Sequence, residues 1–162
     1  MSAPSIYLPE QFKIVDATAG PVTTNGGVTG GYAVLKNAKY AWLLLQFTQA
    51  VSHATVLTLK EATAYAGTAV QTVANVVQIW SNLATATNDT LVKRTSATSY
   101  TLATGAYKAQ VVIGIDPSAL SAGFDVVGFT LSDSSQATNF VAAQWLLEMK
   151  YAQATPPSAV VD

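Results

Sequence analysis

Residues 40–63, YAWLLLQFTQAVSHATVLTLKEAT, decide the fold class. Two apolar runs flank a short polar link at residues 49–53. In the first run Ala41, Leu43, Leu45 and Phe47 share one face at period 2. Tyr40, Trp42 and Leu44 begin the other face, which turns polar at Gln46 and Thr48. In the second run Leu57 and Leu59 share a face, opposite Thr58 and Lys60. Period-2 alternation rich in aromatic and branched residues marks half-buried strands. Two such runs across so short a link predict an antiparallel hairpin. Both faces of its first strand are largely apolar, which places that strand centrally. One face belongs on the domain core; the other, carrying Trp42, belongs against a second layer or another subunit.

Outward from this stretch, short strand patterns recur between turn signals. Residues 12–16 form one, and residues 20–31, GPVTTNGGVTGG, read as a long flexible loop. Residues 69–73, 76–80, 91–94 and 99–102 are further short candidates. Residues 107–115 give the cleanest alternation, with Tyr107, Ala109, Val111, Ile113 and Ile115 on one face. Asp116-Pro117 predicts a short helical start, because Asp caps free amides and Pro presets φ. Residues 124–131 return as a strand. Residues 140–151, FVAAQWLLEMKY, contain good helix formers, but every odd position is apolar and the even set carries all the polar residues, so they read as a strand. Many short strands with turns between them predict an all-β protein, an antiparallel β-sandwich or jelly roll over residues 12–151.

Proline-bearing segments flank that domain. Residues 1–11 carry Ile6, Tyr7 and Leu8 between Pro4 and Pro9 and read as an extended N-terminal arm. Residues 152–162 carry Pro156 and Pro157, then Val160 and Val161, and read as an extended C-terminal arm. Ile6, Tyr7, Leu8, Trp42, Pro156, Pro157, Val160 and Val161 are therefore the candidate protein-interface residues.

Composition narrows the function. The chain has 162 residues, one domain's worth, and no cysteine, which removes disulfides and thiolate metal sites. Charged residues make up 10% of it, against roughly 25% in ordinary soluble domains. Protein interfaces are depleted in charge at their centres, so much of this surface is expected to be covered by other subunits. Net charge is −1 and Lys93-Arg94 is the one basic pair, so no stripe exists to neutralise phosphates. No apolar run approaches the roughly 18 residues of a membrane span, and the N-terminus lacks a secretory pattern. Nucleic-acid and membrane partners are not expected.

Catalytic patterns are also missing. His53 is the lone histidine, no nucleophile-elbow motif accompanies it, and no two of the nine carboxylates lie within two residues of each other. The glycine loop lacks the Lys-Ser/Thr of a phosphate cradle, and residues 132–135 offer one carboxylate, Asp133, where calcium needs several oxygens. No enzyme, cofactor or metal is expected.

Four stretches, VLTLKEATAYAGTAV, VQIWSNLATATNDTLVKRTSATSYTL, YKAQVVIGIDPSAL and the ending KYAQATPPSAVVD, resemble a family of small structural proteins of tailed bacteriophages. Those are identified as head decoration, or cement, proteins. The resemblance implies a β-rich protein, often a homotrimer, that is assembled in the host cytoplasm and binds the outer capsid surface of the virion through the major capsid protein. A tail or neck component of the virion, or a sugar-binding jelly-roll adhesion module using its tryptophans, are the alternatives.

Overall fold

A computed structural model describes residues 7–151, 154–155 and 157–160. One helical turn, α1 (Leu8–Gln11), leads into strands β1 (Phe12–Asp16), β2 (Val22–Thr23), β3 (Val28–Thr29), β4 (Ala33–Val34), β5 (Ala38–Gln49), β6 (Thr55–Ala62) and β7 (Gln71–Thr72). There follow β8 (Gln78–Asn82), β9 (Val92–Lys93), β10 (Ser99–Leu102), β11 (Tyr107–Ile115), β12 (Val126–Leu131) and β13 (Phe140–Met149). The strands form two antiparallel sheets stacked as a β-sandwich. The first has the order β1-β13-β5-β11-β8-β9, with β2 also on β13. The second has the order β10-β6-β12-β3, with β4 on β12 and β7 on β6.

The hairpin expected within residues 40–63 does not form. β5 pairs with β11 and β13 in the first sheet, while β6 pairs with β10, β12 and β7 in the second. Alternation fixes which side chains point inward but not which strand lies alongside. Here Leu43 and Leu45 of β5 and Leu57 and Leu59 of β6 join one core from opposite sheets. The link therefore crosses the roughly 10 Å between layers instead of turning back in one. It is held by side chains. Gln49 donates through Nε2 to the carbonyls of His53 and Gly105. Asn139 accepts from the Val51 amide and donates to the Val51 carbonyl, both at 2.9 Å. The central placement of β5 holds, since it lies between β13 and β11.

The ambiguous segment 140–151 is a strand through Met149. Val141, Ala143, Trp145, Leu147 and Met149 are all buried. Against them from the second sheet stand Leu57, Leu59, Phe129 and Leu131. Each such side chain contributes about 1.5–3 kcal/mol by leaving water. The loop expected over residues 20–31 is clasped rather than free: β2 joins β13 and β3 joins β12, so it straddles both sheets. Gly30 lies under Phe129, where a Cβ would stand 2.1 Å from the ring.

Polar groups close the two ends of the sandwich. At one end, buried Thr24 and Ser134 are joined by a 2.8 Å hydrogen bond beside Asn139. Asp133 accepts there from the amides of Gly26 and Ser135. At the other end the carboxylate of Glu61 is fully enclosed. It accepts from Gln71 Nε2 at 2.6 Å and from the Ser121 amide at 2.9 Å. The predicted cap at Asp116 is present, its side chain accepting from the Ser118 amide above a single 3-10 turn, Pro117–Ala119.

Candidate interaction surfaces

Among the described residues, 8–11 lead into β1 and 158–160 lie beside it. The N-terminal segment is not wholly extended, as the sequence had suggested: residues 8–11 close one α-turn. Pro9 near its start fixes φ at a helical value and gives up an amide that would have no partner there. The turn delivers Phe12 to β1, the outermost strand on that side of the first sheet. From the other end, Ala159 is buried and its carbonyl accepts from the Val34 amide at 2.9 Å. Val160 then lines a shallow depression with Ile14, Tyr65 and Ser158.

This edge is unusually apolar. Tyr7 is 61% exposed, Leu8 50%, Ile14 57% and Val160 40%. Pro157 is half-buried. Ile6, Pro156 and Val161 lie outside the described residues. Among the described residues no strand pairs with the open side of β1, and residues 158–160 lie beside it.

Trp42 sits elsewhere, on the outer face of the first sheet. Its ring packs 4.7 Å from Tyr40 and 6.2 Å from Phe12, centre to centre, and is half-buried. Among the described residues no second layer covers this face. The strand registers lay out its side chains in rows. One row crosses six of the seven strands as Asp16, Gln144, Leu44, Val112, Trp80 and Lys93. The next runs Ile14, Leu146, Trp42, Gly114 and Gln78. No single segment of sequence shows this surface, because each strand lends it only two or three residues. Only β5, with Tyr40, Trp42 and Leu44 together, carried a hint of it.

The electrostatics are sparse. Lys39 and Glu148 form an ion pair at 3.2 Å, an exposed contact worth at most about 1 kcal/mol. Burial raises the Tyr40 hydroxyl above its ordinary pKa, and Asp116 adds to the effect. Asp133 is held below the usual carboxylate range by the amides of Ser135 and Gly26. The depression beside Leu44, lined by Asp16, Gln46 and Gln144, holds about 270 Å³, below the roughly 300–1,000 Å³ of ligand sites. His53 stands in the link between the sheets, and among the described residues no three His, Asp or Glu side chains gather as metal ligands.

No protein-family model matches the chain, and no curated protein matches it in sequence. Among solved structures, the SPBc2 prophage-derived protein YomS is similar with a TM-score of 0.49 and 12% identity, over 90% of this chain and 98% of that one.

Proposed function

We propose that this chain is a structural protein of a tailed-phage virion, bound to the outer surface of the capsid through the major capsid protein. The observation that carries the reading is the terminal edge. Tyr7, Leu8, Ile14 and Val160 stand exposed along one side of a domain with very few charges to keep it apart from other proteins. The side of β1 away from β13 suits strand addition, in which main-chain bonds give affinity and flanking side chains give selectivity. A protein that binds only the assembled shell stabilises it by mass action. The sequence resemblance supports the same role.

The adhesion alternative is less well supported. Lys93 Nζ stands 6.0 Å above the Trp80 ring, on a face that a sugar would need.

Co-sedimentation with heads lacking the protein tests the proposal. Wild-type protein is expected to saturate the heads at micromolar concentration, and a Tyr7→Ser/Leu8→Ser/Val160→Ser variant to lose most of that occupancy. Wild-type protein that stays in the supernatant overturns the reading. Electron microscopy of occupied particles separates a head site, with many copies over the shell, from a neck or tail site at one vertex.

A further inference from the structure

The row from Asp16 to Lys93 is acidic at one end, basic at the other and apolar in the middle. Asp16 and Lys93 are both exposed, on the two edge strands β1 and β9. Leu44 and Val112 occupy the centre, on β5 and β11. Such a row complements itself when turned end for end. We infer that this face packs against the same face of a second copy of the chain, about a two-fold axis parallel to the strands and between β5 and β11.

That axis exchanges the two ends of every row. Asp16 of each copy then meets Lys93 of the other, and by symmetry the contact occurs twice. Leu44 falls on Val112, and Gln144 over Trp80, whose ring face Lys93 shares at 6.0 Å. In the next row Trp42 falls on the Tyr40 ring, which covers Gly114. No like charges coincide. A two-fold axis across the strands would instead set Asp16 on Asp16 and Lys93 on Lys93, which costs free energy. Aligned sheets pack at about 30° to one another, and the long Lys93 side chain spans the resulting offset at the edge.

The size is adequate. At about 4.8 Å per strand and 3.4 Å per residue, six strands over residues 40–48 cover roughly 600 Å² in projection. Specific complexes bury about 800 Å² per partner, counted over side-chain relief that a projection omits. Of the terminal edge only Ile14 lies in these rows, so the pairing leaves Tyr7, Leu8 and Val160 for the capsid role and does not rest on it.

Sedimentation equilibrium of the purified full chain, without heads, tests the inference. The wild type is expected to be a dimer with a micromolar Kd. Leu44→Glu is expected to weaken it at least roughly tenfold, as loss of a central apolar contact does. Asp16→Lys and Lys93→Asp, each alone, are expected to weaken it roughly fivefold or more, while the two together restore dimerisation to within about twofold. A wild type that stays monomeric, or a trimer, overturns the two-fold face. A dimer indifferent to Leu44→Glu, or one that the double reversal fails to rescue, overturns it equally. All three substitutions lie on exposed positions, and circular dichroism of each variant establishes that it is folded.

Discussion

The indole N–H of Trp145 donates to the carbonyl of Gly31 at 2.9 Å from inside the core. The bond ties the last strand to the glycine-rich loop, more than a hundred residues earlier in the chain. Trp145→Phe keeps most of the ring's apolar area but leaves that carbonyl without its partner. A buried unsatisfied group costs about 1–3 kcal/mol. The urea midpoint is expected to fall by that amount divided by the slope, which stays unchanged; an unshifted midpoint would show that the bond contributes nothing net.

Close packing at Gly30 gives a second test. A methyl group there would collide with the Phe129 ring, so Gly30→Ala is expected to destabilise by about 1–3 kcal/mol, the usual cost of overpacking. Adding Phe129→Leu makes room. The double variant is then expected to lose less stability than the two single losses added together. Strict additivity would mean that the ring yields without cost.

The strand-to-strand link depends on Asn139. Its side-chain amide satisfies both the amide and the carbonyl of Val51. Asn139→Ala is expected to cost about 2 kcal/mol and to raise hydrogen exchange first at residues 50–54. Exchange rising evenly over both sheets would contradict a local role.

Acid should unfold the protein through its hydrogen-bonded carboxylates. For Glu61, burial acts to raise the pKa, but hydrogen bonds from Ser121, Gln71 and Ala74 outweigh it and hold the group below its ordinary value of 4.5. Asp116 is lowered by Ser118. Because the folded values lie below the unfolded ones, the unfolded chain takes up protons first as pH falls. The stability these groups contribute is complete at neutral pH. It declines as pH drops below about 4.5 and is gone once pH passes beneath the folded values. Glu61→Gln is expected to flatten that decline, as read from urea midpoints between neutral pH and acid. An equally steep decline in the variant assigns acid sensitivity elsewhere.

Much of this fold is legible in the sequence because period-2 alternation reports burial directly. β1, β10 and β11 have the boundaries that their patterns predict, and β13 overrides the helix propensity of its residues because a two-faced environment rewards alternation. What alternation does not report is partnership. β5 and β6 look like hairpin strands, yet the inward leucines of each belong to opposite walls of the core. The one-turn α1 was hidden because Pro9 suits an extended arm and a first helical turn equally well. The candidate surfaces were legible in part. Tyr7, Leu8 and Val160 stand out as apolar residues in segments with no core to join. Ile14, Val112 and Lys93 acquire meaning only once the registers set them beside residues far away in sequence.

The placement of β13 has a consequence for biosynthesis. Among the described residues β1 pairs with β13 alone, and β5 needs β13 on one side. A ribosome releases β1 long before β13 exists. The first sheet therefore cannot close until residues 140–149 have emerged, and until then one edge of β5 lacks its partner strand. Long-range pairing of this kind is slow, so truncated products ending before residue 140 are expected to be insoluble rather than partly folded.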